Sequence, residues 1–111
     1  MISRVKRYFL EIKDFTNPIE LNIPANYQII LDDKNDFELN KFFYKQIGID
    51  HYWRDRLIWS DKDWSEYVEN KNLETHILKK KDALVGFYEQ EYHHGSNEVE
   101  LINMGILKDF R

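Results

Sequence analysis

The run Glu98-Val99-Glu100-Leu101-Ile102-Asn103-Met104-Gly105-Ile106-Leu107 opens on alternating carboxylates and aliphatics and stays rich in strand-forming residues, which predicts a strand over 98–107. Side chains two apart share a face of a strand, so Glu98, Glu100, Ile102 and Met104 are expected on one side. Just before it, His93-His94-Gly95-Ser96-Asn97 has the composition of a turn, and Leu84 to Tyr92 reads as an antiparallel partner with Gly86 inside it. Lys81-Asp82 fits a tight turn, preceded by Thr75, Ile77 and Lys79 alternating with His76, Leu78 and Lys80. A meander of three antiparallel strands is therefore expected in the last third of the chain.

Upstream the period lengthens from near two to near four. Phe37, Leu39, Phe42, Phe43, Tyr44 and Ile47 recur at helical spacing behind Asp36, which is expected as the N-cap, and Gly48 is expected to stop the helix. Ser60 followed by Asp63 matches an acidic form of the capping box and opens a second helix with Trp64, Tyr67 and Val68 on one face, closed by Asn70 to Asn72. Between the helices lies His51-Tyr52-Trp53-Arg54-Asp55-Arg56-Leu57-Ile58-Trp59, dense in rings and charges for a connection. Nearer the start, Val5 to Ile12 reads as a strand, Asn17-Pro18 breaks it, and Tyr27 to Leu31 forms a short strand ending at Asp32-Asp33. The order is strand, strand, helix, helix and a three-strand meander: an α+β single domain over 1–111, without repeat or linker.

Composition agrees with one modest core. At 111 residues, 42% hydrophobic and 32% charged, the chain is neither too polar to fold nor apolar enough for a membrane protein. No cysteine is present, which excludes disulfide scaffolds, thiolate nucleophiles and Cys-ligated zinc together. The 20 acidic against 16 basic residues make a poor partner for nucleic acid, whose non-specific affinity comes from neutralised phosphates. Met1 to Lys13 lacks the apolar run of roughly 7–15 residues of a signal peptide, and no stretch approaches the ~20 residues of a membrane span. The expectation is a cytoplasmic protein with no membrane or nucleic-acid partner.

Several segments carry a resemblance. Tyr8-Phe9-Leu10-Glu11, His51-Tyr52-Trp53-Arg54-Asp55-Arg56, Trp59-Ser60-Asp61, and Glu98-Val99-Glu100-Leu101 with Gly105-Ile106-Leu107-Lys108-Asp109-Phe110-Arg111 stand in an order and spacing that resemble the GNAT superfamily of N-acetyltransferases from Arg4 onward. The resemblance implies a mixed, largely antiparallel sheet with two helices between its early strands, and acetyl-CoA as co-substrate. In that family the fourth core strand leads to Arg or Gln, two residues, Gly, one residue, then Gly or Ala, opening a helix whose free amides hold the pyrophosphate. Arg111 fits the first position of that loop, and the sequence given ends there. The resemblance therefore implies a truncated member, either the N-terminal portion of a longer enzyme or a short protein reusing half the fold, expected to be inactive alone and to bind acetyl-CoA weakly.

Residue by residue, the resemblance implies Glu100, then Glu98, as the base that keeps an amine acceptor neutral, whether a small molecule or a peptide. The main chain at Ile106 and Leu107 would pair with the pantetheine arm, with Arg111 at the loop's start. Trp53, Arg56 and Trp59 would line the acceptor entrance, with Arg56 pairing a substrate carboxylate. Each has a plainer alternative: solvated strand carboxylates, tryptophans in the core, and an ion pair from Arg56 to Asp55 or Asp61. No metal is expected, because adjacent His93 and His94 on a strand point to opposite faces. The rival to an enzyme is a non-enzymatic interaction module pairing through its exposed C-terminal strand, for instance as a homodimer.

Overall fold

The computed structural model describes residues 22–33 and 36–111. The element order is β1 (Tyr27–Leu31), α1 (Glu38–His51), α2 (Asp61–Glu69), β2 (Leu73–Lys80), β3 (Ala83–His93), β4 (Glu98–Ile106) and a 3-10 turn, Lys108–Phe110. The sheet has four strands in the order β1-β2-β3-β4, every neighbouring pair antiparallel. The α+β class, the two helices between early strands and the C-terminal meander are as the sequence predicts. The strand expected over Val5–Ile12, with Tyr8-Phe9-Leu10-Glu11, lies outside the described residues.

Local chemistry explains the helix ends, with two corrections. Asp36 accepts the Glu38 amide at 2.9 Å, but Phe37 occupies the N-cap position, one residue later than expected. Gly48 does not stop α1; the helix runs on to His51, and Tyr52 takes the left-handed cap at φ 60° with its amide bonded to the Gly48 carbonyl. Gly48 answers a different need, since a Cβ there would lie 2.7 Å from the Cβ of Trp53, whose amide also donates to Gly48 O. At α2 the capping box forms as expected: Ser60 Oγ accepts from the Asp63 amide at 3.2 Å and Asp63 Oδ2 from the Ser60 amide at 2.9 Å.

Both helices bury their apolar stripes against one face of the sheet. Phe43 and Ile47 from α1 meet Ile77 and Phe87, with the Phe43 and Phe87 rings stacked at 5.0 Å. Gly105 lets α1 settle onto β4, because a Cβ there would come within 2.7 Å of Ile47 Cγ2. The opposite face carries the cross-strand rows Ile29-Leu78-Gly86-Ile106 and Leu31-His76-Tyr88-Met104. Around Ile29, Leu78, Met104 and Ile106 this face is apolar and holds a shallow groove of about 140 Å³.

β4 departs from its expected description. A bulge opposite Glu89/Gln90 lets Asn103 pair with Glu89 but Leu101 with Gln90, so the residue between them is extra. Glu98 and Glu100 therefore stand opposite His93 and Glu91 on the helix-side face, while Met104 stands opposite Tyr88 on the other. The single side expected for Glu98, Glu100, Ile102 and Met104 is split in two because a bulge shifts the side-chain alternation by one.

Candidate functional site

Glu89, at 0% exposure, is the hub of the helix-covered face. Its Oε1 is 3.1 Å from Arg56 NH1 and accepts from Tyr67 OH at 3.0 Å and Asn103 Nδ2 at 3.2 Å. Its Oε2 accepts from Asn40 Nδ2 at 2.7 Å, and that amide nitrogen also reaches Thr75 Oγ1 at 2.8 Å. With these donors the carboxylate's acceptor capacity is filled. The network ties α1, the inter-helix connection, α2, β2, β3 and β4 together through one side chain each.

Arg56 approaches this carboxylate through a sheath of rings. Its guanidinium carbon lies 4.2 Å from the ring centre of Tyr67, 4.8 Å from Trp59, 5.4 Å from Tyr44 and 5.5 Å from Trp64. Its backbone amide donates to Tyr44 OH at 2.9 Å, so the connection is pinned at that point. A buried cation beside π-faces and a carboxylate is well compensated. Tyr67's hydroxyl, between Arg56 NH2 at 3.0 Å and Glu89, is pushed well above its ordinary range. Burial is the main cause, the Glu89 charge adds to it, and Arg56 opposes both.

The expected site residues divide among three places. Trp53 packs against the core cluster, facing Tyr44 and Phe87. Trp59 is half-buried against Trp64 and Tyr67. Arg56 is ion-paired, as its plainer alternative held, but with Glu89 rather than Asp55 or Asp61; Asp61 instead meets Lys41 at 3.3 Å. Glu98 is exposed. Glu100 places Oε1 3.0 Å from His93 Nε2. Sequence reasoning missed Glu89, Asn40, Thr75 and Asn103 altogether. The available signal was Glu89's phase, since it lies two residues after Phe87 and so on the core-facing side of β3.

The third place is the outer edge of β4, which no other strand among the described residues pairs. Leu107's amide donates inward to Val85 O at 2.8 Å and its carbonyl accepts from Phe110 N at 2.9 Å, so its main chain is occupied. Antiparallel alternation then turns the main-chain groups of Ile106 and Met104 outward, away from β3. The Ile106 carbonyl accepts Arg111 Nε at 2.8 Å, and Arg111 NH1 also pairs with Asp50 at 3.1 Å. Arg111 thus folds back over the end of β4.

No protein-family model matches the chain, and no curated protein matches it in sequence. In structure it is similar to an aminoglycoside acetyltransferase from an uncultured soil metagenomic sample, solved in complex with trehalose, with a TM-score of 0.63 at 10% identity. The match covers 81% of this chain and 62% of that one, so the chain spans less than two-thirds of the enzyme it resembles. The fold is compatible with part of an acetyltransferase-like fold. Among the described residues no helix is long and apolar enough to cross a membrane.

Proposed function

We propose that the chain is a portion of a GNAT-type N-acetyltransferase that moves an acetyl group from acetyl-CoA to a small-molecule or peptide amine. The observation that carries this reading is the outward-facing main chain of Met104 and Ile106, on an edge that no other described strand pairs, in a sheet whose fold is acetyltransferase-like. An edge of that kind accepts an extended, amide-bearing pantetheine arm as it would another strand. In the transfer the amine nitrogen bonds the thioester carbonyl carbon, the C–S bond breaks and CoA departs as thiolate. Glu100, or Glu98 beside it on the same face, takes the amine's surplus proton. Trp59 remains to wall the acceptor, because Trp53 is in the core and Arg56 is engaged by Glu89.

Amide spectra of the protein titrated with acetyl-CoA test the reading. Weak binding, saturating only at millimolar ligand, is expected to shift the amides of 102–107 and to displace Arg111 from Ile106. No shift at millimolar acetyl-CoA, or shifts confined to other strands, would overturn it. The same edge supports a second reading, a homodimer formed by β4 pairing with β4 of a second copy, since Val99, Leu101 and Met104 are 61%, 53% and 60% exposed. Sedimentation that stays monomeric at high concentration removes that reading and leaves the first in place.

A further inference from the structure

At the far end of β3 and β4, beyond the bulge, three donor groups meet that the acyl-transfer reading does not bring together. We propose that Glu91, His93 and Glu100 bind one divalent first-row cation of the zinc type. Glu91 and His93 are two apart on one face of β3, and the register sets Glu100 directly across from Glu91. One ligand atom from each lies within 4.8 Å of the others. His93 Nε2 is 3.0 Å from Glu100 Oε1 and 3.7 Å from Glu91 Oε1. Zinc bonds of about 2.0–2.1 Å at tetrahedral angles separate donors by roughly 3.3 Å, between those two distances. Small side-chain turns therefore bring the three atoms onto one ion.

Two further features separate this cluster from a chance group of surface carboxylates. Asn70 Nδ2 holds Glu91 Oε2 at 2.6 Å, which leaves Oε1 directed at His93, in the manner of an outer partner orienting a metal ligand. Glu91 and Glu100 also face each other as a directly opposed cross-strand pair, an arrangement that like charges disfavour and a cation between them reverses. One imidazole with two carboxylates suits zinc and its first-row neighbours better than calcium or magnesium, which take oxygen ligands throughout. The side chains of His93 and Glu100 are 40% and 58% exposed, so water completes the coordination. His94 takes no part, as its Nε2 meets Asn72 Oδ1 at 2.9 Å.

The site does not depend on the acyltransferase reading, although a bound ion would occupy the carboxylate which that reading uses as base. Calorimetric titration of chelator-treated protein with zinc chloride tests it without any activity measurement. Uptake of one equivalent with micromolar affinity is expected, together with cobalt-dependent broadening of the signals of 91, 93 and 100. His93→Gln, and separately the double change Glu91→Gln with Glu100→Gln, should each weaken uptake at least about tenfold. His76→Gln, on β2 beside Glu74, should leave it unchanged. No uptake at millimolar zinc, unchanged affinity in His93→Gln, or uptake that follows His76 would overturn the proposal. Circular dichroism of each variant checks that it is folded, so that a loss reads as a lost ligand.

Discussion

Glu89 and Glu91 lie two residues apart on the same face of β3, yet they belong to different kinds of structure. Under the helices, Glu89 is fully buried and receives Arg56, Asn40, Tyr67 and Asn103. Past the bulge, Glu91 is half-buried, bonded by Asn70 at the C-cap of α2 and facing another carboxylate across the strand. A single residue type on one strand face thus serves as an internal clamp and as a surface donor. What differs is the cover, which sets the cost of leaving a charge unmatched. The clamp holds the scaffold in one arrangement, while the half-exposed end and the β4 edge present groups to whatever binds.

The largest effect should follow from breaking the clamp. Glu89→Leu leaves Arg56 buried without its counter-charge, and a loss of about 3–5 kcal/mol is expected in chemical denaturation. Adding Arg56→Met should recover part of that loss, because replacing both partners removes the stranded charge, although Asn40 and Tyr67 still lose their acceptor. If Glu89→Leu cost no more than Glu91→Leu, the two ends of β3 would be energetically alike and the contrast would fail.

A smaller effect is expected at Tyr67, where a variant also carries a pH signature. Tyr67→Phe removes a hydroxyl bonded to both charges of the clamp and should cost about 1.5–3 kcal/mol. In the folded protein this phenol holds its proton more tightly than in the unfolded chain, so its contribution is fully present below its ordinary value of 10.0 and declines as pH rises above it. The wild type should therefore lose stability faster than Tyr67→Phe above pH about 10, as read by denaturation at a series of alkaline pH values. Parallel curves would mean that the hydroxyl is not held in the buried setting between Arg56 and Glu89.

The same contrast explains what could be read from residues alone. Signals that act within a few residues came through: the Ser60–Asp63 capping box, the Lys81-Asp82 turn, the strand at Tyr27–Leu31 and the meander. Gly48 misled because a glycine ends a helix through its backbone freedom, whereas here its missing Cβ makes room for Trp53, a contact invisible to local spacing. Arg56 stood out among its rings, yet its partner lies 33 residues away on another strand. Pairing at that separation is fixed by topology, and the nearer Asp55 and Asp61 were the natural but wrong neighbours. The bulge in β4 was equally hidden, because an extra residue in a strand appears only when the partner strand's register is known.

At the half-exposed end the smallest change is expected, and it bears most directly on how Glu91 differs from Glu89. Glu100→Gln removes one of two opposed carboxylates and keeps a side chain able to bond His93, so stability in metal-free buffer should move by no more than about 0.5 kcal/mol, in the stabilising direction. Thermal unfolding of the two proteins in parallel, first without metal and then with zinc, makes the reading sharper. Without metal the midpoints should nearly coincide, and with zinc the wild type should rise further than the variant, since an ion that binds the folded state alone stabilises it by mass action in proportion to its affinity. A clear loss of stability in metal-free Glu100→Gln would instead make the distal cluster a structural clamp like the one at Glu89, held together by its own hydrogen bonds, and the division of β3 into a covered scaffold and a presenting end would no longer stand.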